Sequence, residues 1–362
     1  MKYDAVLVVS FGGPEQTEDV IPFLENVLRG KNVPRERMLE VAEHYYEFGG
    51  KSPINDQNRK LIKALEAELA EHGPYLPIYW GNRNWHPMLE DTLRRMKADG
   101  VRHALAFVTS AYSSYSSCRQ YRENIASARE AVGEDAPIVD KTRAFHNHPG
   151  FIEAVTERVQ EALAKIPLER RDAAQLIYTA HSIPSMMAAG CDYEKQLLDT
   201  GRMVAERLGQ ENWRLVFQSR SGPASQPWLE PDIMDCLREL KGEGRGADVV
   251  IAPIGFVSDH LEILFDLDTQ ARQLCEELEI NMVRAETVGT HPRFIRMIRE
   301  LISERLDDSQ PRLALGTMGP RPDFCPLDCC PMPRRPSPGA PLDSRVLNLE
   351  REPRIPYNLN AE

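Results

Sequence analysis

Three short apolar runs, residues 5–9, 104–108 and 249–254, have the length of a buried strand, and the stretches between them repeat apolar residues at helical spacing. A β-then-α order of this kind demands parallel strands, because each crossover helix returns the chain to the same edge and covers one face of the sheet. In the first half, the opening strand is broken by Gly12-Gly13-Pro14. A helix follows with Val20, Ile21, Leu24, Val27 and Leu28 on one face. A second helix opens at Pro34 and stops at Gly49-Gly50, and a third starts near Pro53 with Leu61, Ile62, Leu65 and Leu69 inward. Strands near 78–80 and 104–109 bracket a helix carrying Leu89, Leu93 and Met96. After Gly150 the alternation restarts, with a helix to Ala164, strands at 176–179, 215–218 and 249–254, and a helix from Tyr193. The pattern predicts two similar α/β halves joined near 140–150, residues 1–145 and 146–318, followed by a Pro/Cys-rich tail over 319–362. Prolines at 320, 322, 326, 331, 333, 336, 338 and 341 deny that tail regular helix or central strand.

A chain of 362 residues exceeds one ordinary core, and 42% hydrophobic residues suffice for two. The balance of 44 Lys+Arg against 55 Asp+Glu argues against a nucleic-acid partner, which requires a basic surface. No apolar run approaches the roughly 18 residues of a membrane span. Met1-Lys2-Tyr3-Asp4 leads straight into a strand without the regions of a secretory signal, so a cytoplasmic enzyme is expected. The seven cysteines, Cys118, Cys191, Cys236, Cys275, Cys325, Cys329 and Cys330, are odd in number and crowd the tail. In a reducing compartment that suggests metal ligation before disulfides.

In parallel sheets, ligands collect beyond the carboxyl ends of strands. Phe11, segment 110–121, His181 and Glu262 are all expected there. His181 follows the apolar run Leu176-Ile177-Tyr178, while Asp259, Glu262 and Asp266 are spaced i, i+3, i+7, one face of an ideal helix. A neutral imidazole opposite carboxylates suits the handling of a divalent metal and of protons in one cleft. Leu261, Ile263, Leu264 and Phe265 around Glu262 predict partial burial. Taken singly, each feature also fits a structural histidine or a solvated helix face. His260 is expected to serve structurally at a helix start.

Five ordered motifs spanning about residues 4–305 resemble the ferrochelatase family, enzymes that insert ferrous iron into a porphyrin. They are Ser10-Phe11-Gly12-Gly13-Pro14; Phe48-Gly49-Gly50-Lys51-Ser52-Pro53-Ile54-Asn55; Ala180-His181-Ser182-Ile183-Pro184; Gln218-Ser219-Arg220-Ser221-Gly222-Pro223 with Pro227-Trp228-Leu229; and residues 255–262. The resemblance implies two Rossmann-like, chelatase-type domains around a porphyrin cleft. His181 and Glu262 would be its iron and proton-handling pair, Asp266 would extend the carboxylate row, and a π-type turn would distort the ideal spacing. Gln270 stands where the family often has an acid.

The expected cleft lip, residues 21–48, is rich in charge, with Arg29, Lys31, Arg35, Glu36, Arg37, Glu40 and Glu43. A soluble polyanionic substrate therefore fits better than a membrane-docking lip. The lip resembles that of the monomeric, soluble branch that metallates coproporphyrin III to coproheme in haem biosynthesis. That branch implies propionate contacts at Ser52 and Tyr121, with Tyr45 adjacent and Arg29 as cation. His44 occupies a place where relatives often have arginine. Phe11 stands where some have an iron-ligating tyrosine, and here would pack on the ring. Some ferrochelatases hold a [2Fe–2S] cluster, which implies Cys118, Cys325, Cys329 and Cys330 as ligands. A zinc site or loose thiols remain the alternative for these cysteines. Protoporphyrin IX ferrochelatase and a non-catalytic porphyrin or haem carrier remain the alternatives for the chain.

Overall fold

The computed structural model describes residues 2–332 apart from Asn32, Pro223 and Ala224. Part of the fourth sequence motif, and the tail from residue 333 onward, lie outside the described residues. Parallel strands β1 (Ala5–Ser10), β2 (Ile78–Asn82), β3 (His103–Val108) and β4 (Ile138–Lys141) form one sheet in the order β2-β1-β3-β4. A second, β5 (Gln175–His181), β6 (Trp213–Gln218), β7 (Asp248–Ala252) and β8 (Asn281–Arg284), repeats that order as β6-β5-β7-β8. The central strands explain the apolar runs. All six residues of β1 and all five of β7 are buried, because helices cover both faces.

In the first half the helices are α1 (Val20–Val27), α2 (Arg35–Glu47), α3 (Ile54–His72), α4 (Leu89–Ala98) and α5 (Gln120–Val132). The second half contains α6 (Pro149–Leu163), α7 (Ser185–Ala189), α8 (Tyr193–Leu208), α9 (Ile233–Gly242), α10 (Leu261–Ile263), α11 (Arg272–Glu277) and α12 (Pro292–Leu306). The repeat extends to helix starts. Both α6 and α12 begin with proline after a histidine, and the Nδ1 atoms of His148 and His291 accept the N–H groups of Gly150 and Arg293 at 3.1 and 3.3 Å. The edge strands β4 and β8 were not legible in the sequence. Four residues each, Ile-Val-Asp-Lys and Asn-Met-Val-Arg, are too short and too polar to show a strand period.

A continuous core joins the halves, from Tyr3, Val6 and Leu65 through Phe145, Phe151 and Phe294 to Leu176, Tyr178 and Val250. Helix α12, last in the second half, packs on α3 of the first as well as on α6. Beside it, the buried Arg143 guanidinium donates two 2.8 Å hydrogen bonds to the Glu304 carboxylate. Arg305 reaches Asp140 and Asp323 at 3.0 Å each. Leaving either charge of the Arg143–Glu304 pair alone in this interior would cost about 3–5 kcal/mol.

Helices α1 and α2 form a lip with its own small core of Val20, Phe23, Leu24, Met38 and Ala42. The described part of the tail lies against α5. Arg119 donates to the carbonyls of Leu327 and Cys329, and Arg122 to that of Cys325 at 3.3 Å. Polar anchoring thus replaces the regular structure that the prolines forbid. No helix among the described residues is long and apolar enough to cross a membrane.

Candidate active site

Strand order reverses between β1 and β3 and again between β5 and β7, and at such points the connections diverge to opposite faces and leave a crevice at the carboxyl ends. His181 is the last residue of β5. Its Nδ1 contacts the Ser182 carbonyl, and its own carbonyl accepts the Tyr193 hydroxyl at 3.1 Å. The loop after β7 must lie flat on β5 to aim the next helix at this ring. Gly255 permits it, donating to Thr179 O at 3.0 Å where a Cβ would stand 2.6 Å from that of Ala180. Leu261 and Ile263 of α10 are buried, which turns the intervening Glu262 the other way. Its Oε2 lies 3.5 Å from His181 Nε2, with 33% of the histidine and 48% of the glutamate side chain open to solvent.

The helix then widens. Residues Leu264–Ala271 are π-helical, the i→i+5 form that recurs at functional sites, and they carry Asp266. Asp266 accepts from Ser219 Oγ and, at 3.3 Å, from Gln218 Nε2. The expected three-carboxylate row is corrected here. Asp259 precedes α10, pairs with Arg284 at 3.2 Å and donates its N–H to Gln57 Oε1 at 2.8 Å. It is therefore a strut between the halves, because the helix starts too late to place it on the Glu262 face. His260 immediately precedes α10, caps it with no side-chain bond, and packs its ring edge-on against Phe256 at 4.8 Å.

Burial disfavours an imidazolium at position 181, but the Glu262 carboxylate, the Ser182 carbonyl and Asp266 outweigh it and raise the ring to about 9. Burial likewise opposes the Glu262 carboxylate, and His181 overrides it, holding the acid down at about 2. Asp266 is pushed up to about 6, chiefly by burial and further by Glu262. Without substrate, the pair is thus an imidazolium beside a carboxylate, and Asp266 is the group that exchanges protons near neutrality. Cleft water moderates both ends of the pair, since neither side chain is sealed.

The first half supplies the facing wall. Burial foremost, and then Glu262, raises the Tyr45 phenol above its ordinary value, so Tyr45 lies within the carboxylate's field. His44 stacks on Phe265 with ring centres 3.7 Å apart, which joins lip helix α2 to the π-helical turn. Phe11, 37% exposed, meets Phe23 edge-on, and Phe23 meets Tyr45 and Trp85 the same way. Ser52 and Tyr121 are both buried. Ser52 donates its N–H to Pro14 O at 2.9 Å, and a Cβ on Gly13 would stand 2.8 Å from the Ser52 Cβ, so two sequence motifs meet there. Arg29 is exposed just beyond α1. A residue that sequence reasoning missed, Arg83, lies between the rings of Phe11 and Tyr121. It is the first residue past β2, so the strand-end rule applied to Asn82-Arg83-Asn84 would have found it. A cavity of about 600 Å³ between α3, α4 and β2 lies apart from these groups and is lined by mixed charges such as Arg59, Glu66 and Asp91.

Cys118, Cys325, Cys329 and Cys330 line one cavity of about 250 Å³ under the tail. The Cys329 and Cys330 sulfurs are 3.6 Å apart. A hydrogen bond from Cys325, helped by Lys141 and Arg122 against burial, brings the Cys118 thiol down to about 5, in thiolate range. Cys118 belongs to a second π-helical turn, Tyr115–Arg119, which leads into α5. Among the described residues no three His, Cys, Asp or Glu side chains are arranged as a metal-ion site. The four thiols share a cavity and a cationic rim without closing on a ligand geometry.

Two doubled-up parallel sheets with a histidine and a carboxylate at their carboxyl edge define a metal-chelatase architecture. SirB from Bacillus subtilis with Fe³⁺ has the same fold, with a TM-score of 0.54 at 11% identity over 86% of this chain and 98% of that one. The sequence narrows the class. The Ferrochelatase family model matches residues 3–306. The ferrochelatase of Rhodopirellula baltica is 59% identical over 335 residues, 92% of this chain and 95% of that protein. The coproporphyrin III ferrochelatase of Streptomyces coelicolor is 51% identical over 360 residues, 93% of this chain and 96% of that protein. The chain belongs to the ferrochelatase family, and it is an enzyme that inserts iron into a porphyrin.

The electrostatics make a direct prediction for His181. Its pKa is raised on folding, so its charge contributes stability in full below the ordinary 6.5 and loses it as pH climbs through about 9. Glu262 is depressed, so its share is complete above 4.5 and is lost as pH falls through about 2. NMR titration of the substrate-free protein is expected to place the His181 midpoint near 9. In Glu262→Gln the midpoint falls below 6.5, because burial then acts with far less opposition. A wild-type midpoint near 6.5 that Glu262→Gln leaves in place contradicts the pairing.

Proposed function

We propose that this enzyme metallates coproporphyrin III with Fe²⁺ to give coproheme, and that His181, Glu262 and Asp266 carry the chemistry. The observation that carries the reading is the 3.5 Å approach of His181 and Glu262 below an aromatic wall. Net insertion exchanges one Fe²⁺ for two pyrrole N–H protons, so the site must accept protons while presenting a metal ligand. His181 can do either only as neutral imidazole. Its resting proton must therefore leave first, and Fe²⁺ arriving at the ring nitrogen competes with that proton directly. Glu262 regains basicity as the imidazolium charge disappears. Asp266, poised near neutrality and hydrogen-bonded to Ser219 and Gln218, passes protons outward.

Support for the tetrapropionate substrate comes from the naming of the Streptomyces coelicolor relative and from the charged lip of α1 and α2. In this reading Ser52, Tyr121, Tyr45, His44 and Arg29 face the propionate side and Phe11 packs on the macrocycle. His44 would have to yield its stack on Phe265, or share it, when a flat substrate enters. The chain would act as a cytoplasmic monomer, with domains 1–145 and 146–318 forming the two walls.

Anaerobic Fe²⁺ insertion measured with coproporphyrin III and protoporphyrin IX in parallel tests the substrate. At least tenfold higher kcat/KM for coproporphyrin III is expected, and equal or reversed values would favour the protoporphyrin reading.

The chemistry of the donor set under the tail supports a [2Fe–2S] cluster held by Cys118, Cys325, Cys329 and Cys330, on which the four thiols would have to close. Four thiols share a cavity, one is already in thiolate range, and Arg119, Arg122 and Lys141 offset their charge. Such a cluster would supply a covalent strap between the tail and α5. Anaerobically purified protein is then expected to contain two irons and two sulfides per chain with visible absorption, lost in Cys118→Ser and kept in Cys236→Ser. Colourless wild-type protein, or a cluster that survives Cys118→Ser, rejects the assignment.

A further inference from the structure

The protein neutralises its well-buried guanidiniums with carboxylates: Arg143 with Glu304, Arg284 with Asp259 and Asp268, Arg305 with Asp140 and Asp323. Arg83 is treated differently. Its backbone N–H donates to Ser10 O at 3.0 Å and its Nη1 to Ser116 O at 3.2 Å. Its guanidinium carbon sits 5.5 Å from the centre of the Phe11 ring and 5.0 Å from that of Tyr121. The Nε–H is buried without a partner. Burial lowers its pKa, and the groups opposing that shift are the phenols of Tyr121 and Tyr115, with no carboxylate among them. Lys31 lies within the field of this same guanidinium, and burial together with that field lowers its pKa. In a chain with 55 acidic residues against 44 basic ones, two cations with no acid paired to them among the described residues mark a place where the anion arrives from outside.

We propose that Arg83, assisted by Lys31, is a carboxylate-binding subsite of the cleft that takes one propionate of the tetrapyrrole against the Phe11–Tyr121 wall. The inference rests on the cleft being the porphyrin site. Phe11 offers its exposed ring to the macrocycle while the guanidinium beside it receives the side arm. Tyr121, only 5% exposed, backs the guanidinium and keeps its plane fixed. Arg83 would thus be a positioning and specificity residue, since it would hold a side arm of the tetrapyrrole and no reacting atom.

The test compares coproporphyrin III with its uncharged tetramethyl ester, each titrated in detergent by porphyrin fluorescence against wild type, Arg83→Met and Arg83→Lys. Loss of a charge-assisted hydrogen bond predicts that Arg83→Met weakens the free acid about ten- to a hundredfold. The ester should move by less than about threefold, the scale of lost packing alone, and Arg83→Lys should recover part of the loss. Equal weakening of acid and ester in Arg83→Met would make the residue a structural prop and overturn the proposal. Unchanged binding of both would do the same. A wild-type protein that binds neither porphyrin would overturn the reading of the cleft, and this subsite with it.

Discussion

The contact between His181 and Glu262 is the interaction on which the site depends, because each residue sets the charge of the other. Alone in this pocket the imidazole would be neutral and the carboxylate reluctant to ionise, since burial disfavours both charges. Facing each other at 3.5 Å, both are charged. The resting site therefore holds one positive and one negative charge where the proposed mechanism would bring a divalent cation. In that mechanism the incoming metal would evict a proton, tying metal entry to proton exit within a single pair of side chains.

That geometry is a consequence of topology. The two sheets share one strand order, and each opens a crevice at the reversal after its first and third strands. The repeat then divides the labour. In the second half, the end of β5 and the segment past β7 hold His181 and the Glu262–Asp266 turn. In the first half, the positions past β1 and β3 hold Phe11 and the turn leading to Tyr121. Both halves use a π-helical turn after the third strand, Tyr115–Arg119 and Leu264–Ala271. The second of these turns begins just after Glu262 and carries Asp266. The shared core, α12 and the Arg143–Glu304 pair hold the walls in fixed register.

Much of this was legible because the signal and the physics coincide. Buried parallel strands must be apolar throughout, so β1, β3 and β7 announced themselves, and helix faces such as Leu61, Leu65 and Leu69 could only pack on a sheet. His181 and Glu262 were placed by the strand-end rule together with motif order. Asp259 was misjudged because i, i+3, i+7 presumes a helix already begun at residue 259, whereas the helix begins only at Leu261 and Arg284, twenty-five positions past Asp259, claims its carboxylate. The edge strands β4 and β8 hide because each has only four residues, one exposed and at least two half-buried. Arg83 could have been placed by the strand-end rule past β2, but what sets it apart, a buried guanidinium without a carboxylate, depends on its neighbours in space, which linear sequence does not display.

In the proposed mechanism the imidazole of His181 must shed its proton and meet the metal for insertion to occur. The most direct measurement is anaerobic Fe²⁺ insertion into coproporphyrin III by His181→Ala, with porphyrin affinity checked separately by fluorescence. The expected result is normal porphyrin binding with insertion slowed about a hundredfold or more. Insertion at the wild-type rate, with the substitution verified and porphyrin bound, would contradict the claim.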